Sequence, residues 1–258
     1  MEPNINILNS EGISLSAKLF LPDTPANYLV ILCHGFRGNK ENHNRLQPFA
    51  QALMQQKFAV LAFDFTGCGE SEGDFASITL TRQYQDLKAV MDWAQSCSDL
   101  PLILLGRSFG GSTILSAAQD SRIKGLIFWS AAIHLVKTFR SSLGSLYDEL
   151  VRGNSVSWEE NGESNELYPS FVHDLEQKEI NQNFSALASK TVLIIQGTSD
   201  SVVTPDNATF LKGQVPQAEL VMVPKADHSF TGLDELREDL TLNWLMKNFS
   251  VTSTGQKL

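Results

Sequence analysis

The segment Pro101-Leu102-Ile103-Leu104-Leu105-Gly106-Arg107-Ser108-Phe109-Gly110-Gly111-Ser112-Thr113-Ile114-Leu115-Ser116-Ala117-Ala118 decides the fold. An apolar run, Pro101 to Leu105, reads as a buried strand and enters Gly-x-Ser-x-Gly. It leaves through residues small enough to pack closely, reading as a helix. A strand, a tight turn and a helix in immediate succession hold a serine in strained backbone with its hydroxyl exposed. Gly69-Glu70-Ser71-Glu72-Gly73 matches the same pattern, but Ser71 is flanked by Glu70 and Glu72, followed by Asp74, and has no apolar helix after it. Ser108 is therefore the expected nucleophile and Ser71 a turn serine.

Outward from this segment, short apolar or β-branched runs alternate with stretches of helical period, the signature of a parallel sheet with crossover helices. The runs are Tyr28 to Cys33, Phe58 to Phe63, Pro101 to Leu105, Ile123 to Trp129, Thr191 to Gln196 and Glu219 to Val223. Helices are predicted at Arg45 to Gln56, Thr81 to Gln95, Phe109 to Ala118, Pro205 to Leu211 and Leu233 to Phe249. Ahead of them, Ile5 to Leu8 and Leu15 to Leu21 read as an antiparallel hairpin, because Asn9, Ser10, Glu11 and Gly12 between them are turn formers. An α/β fold follows, with an eight-stranded, mostly parallel sheet.

One connection breaks the rhythm. About 55 residues lie between Ser130 and Phe184, against a usual linker of about 2 to 6. The chain is thus expected to be a single domain, 1–258, with a cap inserted after the sixth strand over about 131–184. Within the cap, Leu135 to Val151 and Phe171 to Asn183 are expected to be helices, and Gly153 to Pro169, rich in Asn, Glu, Ser and Gly, is expected to contain loop. The tail from Ser250 to Leu258 is small and polar and is expected to fray.

Twenty Lys and Arg against 29 Asp and Glu give a formal charge of −9. That charge repels phosphate backbones and anionic lipid surfaces, so neither nucleic acid nor a membrane is an expected partner. Met1 to Asn9 lacks the basic and apolar regions of a signal peptide, and no apolar run approaches the roughly 18 residues of a membrane span. A soluble, unprocessed cytoplasmic protein is expected. Cys33, Cys68 and Cys97 are odd in number and widely spaced, which fits neither a disulfide framework nor a zinc site. They read as reduced thiols, with Cys33 buried in a strand.

A serine hydroxyl needs a base within hydrogen-bond reach. Of the five histidines, His34 ends the third strand in a turn, His43 and His173 lie in polar surroundings, and His134 opens the cap. His228 follows the last core strand, on a loop before the final helix, at the sheet edge where Ser108 must also lie. The acid that orients it should follow the preceding strand. Thr191 to Gln196 runs into Gly197-Thr198-Ser199-Asp200, so Asp200 fits; Asp227 would diverge from the ring beside it, and Asp206 falls in the next helix. The order Ser108, Asp200, His228 is the one a strand-turn-helix nucleophile of this kind requires.

Negative charge on the substrate carbonyl oxygen calls for preorganised N–H donors. The backbone N–H of Phe109, directly after the nucleophile at the positive end of its helix, is one. The other is the N–H of Phe36, in a turn where Gly35 and Gly38 allow close approach. Gly67-Cys68-Gly69 lacks the third glycine and the helix of a nucleotide site and reads as a turn. Arg107, beside the nucleophile, is expected to be tied to a buried carboxylate or capped by solvent, without a catalytic role.

Through His34-Gly35-Phe36, Asp64-Phe65-Thr66-Gly67-Cys68-Gly69-Glu70-Ser71, the Ser108 turn, Asp200 and His228, the chain resembles the α/β-hydrolase superfamily over nearly its whole length. His34-Gly35-Phe36-Arg37-Gly38-Asn39-Lys40 with the cap resembles the small bacterial cinnamoyl and feruloyl esterases and the serine aminopeptidase-like hydrolases. The resemblance implies helices on both sheet faces and a cap over an acyl pocket. It also implies hydrolysis of small-molecule carboxylic esters, with small to medium acyl or aryl-acyl groups, without a metal or organic cofactor. Arg107 and Phe109 depart from the His and Gln more usual in those esterases, which leaves substrate choice open. Peptide cleavage, thioester hydrolysis and acyl transfer use the same framework, a noncatalytic binding protein could be built on it, and a homodimer is open.

Overall fold

The computed structural model describes residues 4–160, 162–180 and 184–250. Ten strands and eight helices are assigned among them. β1 (Asn4–Leu8) and β2 (Ser14–Phe20) pair antiparallel, and β2 continues antiparallel onto β4 (Phe58–Phe63). From there β3 (Tyr28–Cys33), β5 (Leu102–Arg107), β6 (Ile123–Trp129), β9 (Thr191–Gly197) and β10 (Glu219–Val223) pair in parallel. The order across the sheet is β1-β2-β4-β3-β5-β6-β9-β10. This is the eight-stranded, mostly parallel sheet expected from the alternation of runs, in the α/β-hydrolase fold that the resemblance implies.

The apolar residues of α1 (Leu46–Gln55) and α8 (Asp234–Phe249) bury against one face of the sheet. Those of α2 (Leu80–Cys97), α3 (Phe109–Ser116) and α7 (Asp206–Gln214) bury against the other. Covered on both sides, the central strands are mostly apolar, and β4 is buried at every position, as parallel strands between helix layers tend to be.

This topology creates the place for a site. After β3 the chain crosses to β4 on one side, then returns to β5 on the other. The two strands flanking that reversal end level, with Cys33 paired to Gly106. Their following loops, at His34–Gly35 and at Ser108, therefore emerge side by side, the position where ligands bind in open α/β sheets.

Between β6 and β9 the chain departs from two of the expectations. The segment Leu135 to Val151 is two helices, α4 (Leu135–Leu143) and α5 (Ser145–Val151), because Gly144 at φ +56° breaks it. Gly153 to Pro169 holds an antiparallel hairpin, β7 (Val156–Glu160) with β8 (Glu163–Leu167). Asn161-Gly162 between the strands is the strongest short hairpin signal, and Val156 and Leu167 at its base are buried. Polar composition concealed it, since its outer face carries Glu and Ser. The following helix, α6 (Ser170–Ile180), is predicted from Phe171 to Asn183, of which 181–183 lie outside the described residues. So do residues 251–258 of the tail. No helix among the described residues is long and apolar enough to cross a membrane.

Candidate active site

β5 ends in the bulky Arg107 and turns sharply at Ser108, whose φ of 53° and ψ of −118° lie where a side chain rarely goes. The main chain around it holds the strain in place: the Ser108 N–H donates to the Trp129 carbonyl at 2.9 Å. The Ser108 carbonyl in turn accepts from Gly111 at 2.9 Å and Ala132 at 3.1 Å. Such over-determination keeps a sparsely populated conformation. Gly110 is required by the turn, because a Cβ there would stand 2.3 Å from the Cys33 carbonyl oxygen.

Three side chains converge on this turn. His228 Nε2 lies 3.1 Å from Ser108 Oγ, and His228 Nδ1 lies 2.8 Å from Asp200 Oδ2. Asp200 is buried, and its carboxylate also accepts the N–H groups of Val202 at 3.0 Å and Val203 at 2.9 Å. Gln196 Nε2 adds a fourth bond at 3.0 Å. These donors stabilise the ionised carboxylate and leave the His228 side of Oδ2 as its remaining duty. The resulting line of oxygen, imidazole and carboxylate can draw a proton from the serine hydroxyl. Gln196 escapes a reading of local pattern, although a polar residue within an otherwise apolar strand needs a buried partner.

The other acids and histidines lie apart from this line. Asp227 accepts from the Thr231 N–H at 2.9 Å. Asp206 pairs with Lys137 at 2.7 Å, and His134 is 3.9 Å from it. His43 occupies a left-handed turn ahead of α1, and His173 is on α6.

Beside Ser108 runs the turn after β3. A Cβ on Gly35 would be 3.1 Å from Ser108 Cβ, so the turn that carries the Phe36 amide approaches Ser108 closely at Gly35. On the other side the Phe109 amide, first in α3, has no acceptor within its own helix. His34 fixes the turn. Its Nε2 accepts the Phe65 N–H at 3.1 Å, which requires the proton on Nδ1, and Nδ1 donates to the Gly35 carbonyl at 2.8 Å. Burial lowers the His34 pKa, consistent with a neutral ring accepting at one nitrogen.

Lys40 anchors the far end of the same turn. Its Nζ reaches Asp64 at 2.6 Å and Glu70 at 2.7 Å, and its N–H also donates to Asp64 at 2.6 Å. Burial works against the ammonium, but the bonds to Asp64 and Glu70 outweigh it and raise its pKa. Nothing in the local sequence around Lys40 announces this, since its partners are 24 and 30 residues away.

Of the two expectations for Arg107, a carboxylate partner or a solvent cap, the first does not hold. Its guanidinium donates to Asn42 Oδ1 at 3.2 Å and to Ser229 Oγ at 3.3 Å, neutral oxygens rather than a carboxylate. Burial lowers its pKa, while Asp234 and Asp200 oppose the change from a distance. Nearby, the buried Arg237 lies 4.2 Å over the Trp129 ring; burial first, then the Arg107 charge, brings its pKa down to about 10. Arg237 is paired with Asp234 at 2.9 Å, which balances its charge.

The rings of Phe36, Phe109, Phe139 and Phe171 pack on one another, and Arg37 lies 5.8 Å over the Trp158 ring of β7. No group of three or more His, Cys, Asp or Glu arranged to hold a metal ion is present among the described residues.

A model of the family described as serine aminopeptidase, S33, matches residues 24–187 of the chain. An uncharacterized 31.7 kDa protein of Escherichia coli is 40% identical over 124 residues, 46% of this chain and 42% of that protein. Monoglyceride lipase of Rattus norvegicus is 29% identical over 132 residues, covering 50% of this chain and 43% of the lipase. The chain thus spans less than half the length of these relatives. Among solved structures, Est1E from Butyrivibrio proteoclasticus with ferulic acid bound superposes with a TM-score of 0.82 at 24% identity, over 95% of this chain and 99% of Est1E. At that identity the likeness speaks for the fold.

Proposed function

The chain belongs to the serine aminopeptidase, S33, family of α/β-hydrolases, and from that premise we propose that it is a serine esterase acting on carboxylic esters of small to medium acyl or aryl-acyl groups. The reading is carried by one observation: His228 stands between Ser108 Oγ at 3.1 Å and Asp200 Oδ2 at 2.8 Å, with Ser108 held in strained backbone.

Ser108 Oγ attacks the ester carbon while His228 Nε2 takes its proton. Asp200, fixed by its own donors, keeps the imidazole proton on Nδ1 and stabilises the imidazolium. The oxygen that gains charge is received by the amides of Phe36 and Phe109, donors whose loss typically costs roughly two to three orders of magnitude in rate. His228 then protonates the departing alcohol oxygen, and the acyl group stays on Ser108. A water entering on the same side loses a proton to His228 and attacks the acyl carbon, and His228 then returns that proton to Ser108 Oγ as the acyl–oxygen bond breaks and the acid leaves.

A lipase among the similar proteins, monoglyceride lipase, supports ester over aminopeptidase chemistry.

A fluorophosphonate probe is the direct test. Covalent labelling of the intact protein, mapped to Ser108 and abolished in Ser108→Ala, is expected. Failure to label, or a label mapped to another residue such as Ser71, overturns the assignment.

A further inference from the structure

Two amides are assigned to the substrate carbonyl oxygen, and the chain holds them by different means. The Phe109 amide follows Ser108 directly and opens α3, so the turn that fixes the nucleophile fixes it as well. The Phe36 amide lies in the connection from His34 to Arg45, which is neither helix nor strand. Within that connection Arg37, Asn42, His43 and Asn44 take φ values of 57°, 45°, 56° and 63°, all in the left-handed region. A segment with that much backbone strain keeps one conformation only where its surroundings over-determine it.

Two buried polar residues do so. His34 and Lys40 are 8% and 5% exposed, while the turn between them, Gly35 to Asn39, stands more open. Both rest on consecutive residues of the loop after β4. His34 Nε2 accepts the Phe65 N–H at 3.1 Å. Asp64, fully buried, accepts the Lys40 N–H on Oδ1 and the Lys40 ammonium on Oδ2, each at 2.6 Å. Between them the turn closes on itself, the Gly38 N–H donating to the Gly35 carbonyl at 3.0 Å. Phe36 is thus suspended between one anchor on Phe65 and one on Asp64.

Asp64 is itself held. Its N–H donates to the Ser16 carbonyl at 2.9 Å, and its Oδ2 also accepts the Glu70 N–H at 2.9 Å. Gly69 lies so close that a Cβ there would stand 2.3 Å from Oδ2. The loop carrying the second Gly-x-Ser-x-Gly is therefore built around this carboxylate. The side chains of Lys40 and Asp64 are 2% and 1% exposed, so removing either charge leaves the other buried without its partner. A displacement of about 1 Å in a group that acts on the reaction can cost roughly a hundredfold in rate.

Resting on the esterase reading above, with the Phe36 amide as a donor, we infer that Lys40 and Asp64 are positioning residues for the hydrolysis. Their ion pair sets the Phe36 amide against the oxygen that gains charge, and so governs kcat rather than the binding of substrate. They act through the turn, not on the reacting atoms.

The test is kcat and KM for p-nitrophenyl acetate in Lys40→Met, Asp64→Asn and the double variant, together with inhibition by a trifluoromethyl ketone. Ser108 Oγ adds to the ketone carbon, its proton passes to His228, and the former carbonyl oxygen carries the negative charge, so the adduct reports on the oxyanion donors. Each single variant should lower kcat by about 10- to 100-fold with KM within about threefold, and should weaken the ketone by a similar factor. The double variant should lose no more than the larger single loss, because the two residues act as one pair. It also leaves no unpaired buried charge, so it carries the test if a single variant gives no folded circular dichroism spectrum. Ser71→Ala loosens the same loop and leaves the pair bonded; a fall in kcat as large there would trace the effect to stability and overturn the inference. Folded variants with kcat within about threefold of wild type, or a fall in kcat with ketone affinity unchanged, also overturn it, and both leave the esterase reading standing. Absence of any Ser108-dependent ester turnover in the wild type overturns that reading and this inference with it.

Discussion

Ser71 and Ser108 occupy segments of the same pattern, Gly69 to Gly73 and Gly106 to Gly110, and the fold uses them for different ends. Ser71 is engaged with the main chain on both sides: its hydroxyl donates to the Asp64 carbonyl at 2.6 Å and accepts from the Ser16 N–H at 2.9 Å. It joins the loop after β4 to β2, and its neighbour Glu70 joins that loop to Lys40. Ser108 has its main chain satisfied by other strands and loops, which leaves its hydroxyl to face His228. A hydroxyl committed to a carbonyl is a clamp, whereas one aimed at an imidazole can lose its proton. The pattern of glycines is the same; what differs is whether a buried strand enters the turn and a helix leaves it.

The largest break in that contrast should come from Ser108→Ala. A turnover loss of roughly four to six orders of magnitude on p-nitrophenyl acetate is expected, with thermal stability little changed because alanine keeps the Cβ and with it the same backbone strain. Activity retained within tenfold would remove the distinction between the two serines. Asp200→Asn is next. It keeps the bonds from Val202 and Val203 available but lets Nδ1 face an amide N–H, so kcat should fall by roughly three to four orders of magnitude. A fall below about tenfold would mean that another group orients the ring.

On the other serine the expectation reverses. Ser71→Ala should leave ester turnover within about twofold and lower stability by about 1 kcal/mol, the usual net worth of a hydrogen bond, read by urea denaturation. A loss of activity without a loss of stability would give Ser71 a role that the contrast denies it.

The smallest effect should come from Glu70→Gln. The Lys40 ammonium bonded to Glu70 holds its carboxyl below the usual carboxylate range. A depressed acid contributes stability above its unfolded pKa, here about 4.5, and loses it as pH falls through the folded value. The variant should therefore lack a small part of the wild type's acid limb below pH ~4.5. With its side chain 63% exposed, no more than about 1 kcal/mol is at stake. A Tm profile between pH 3 and 7 that is steeper in the variant than in the wild type would contradict the sign.

Much of this contrast can be read before any coordinates exist. A run of five apolar residues before Gly106 and of small residues after Ser108 separates the two segments within eighteen positions. The cap is less legible. Its hairpin, Val156–Glu160 with Glu163–Leu167, presents mostly polar residues, and only Asn161-Gly162 marks it. Gly144 inside a helical pattern is ambiguous, since a glycine can be carried within a helix or can end it; here it ends one. The partners of Arg107 are not legible in the sequence either, because Asn42 and Ser229 lie 65 and 122 positions from it.

The sequence by itself determined the alternation of strands and helices, the turn at Ser108 and the chain order of serine, aspartate and histidine. Each of these is written in windows of ten to twenty residues, where the periods of strand and helix leave a direct mark. Only the tertiary structure decided that Gln196 holds Asp200, that Lys40 ties the loop after β3 to the loop after β4, and that Phe36, Phe109, Phe139 and Phe171 pack on one another. Those pairings join residues far apart in the chain. Distance along a polymer carries no information about contact until the strands have set their order and register in the sheet.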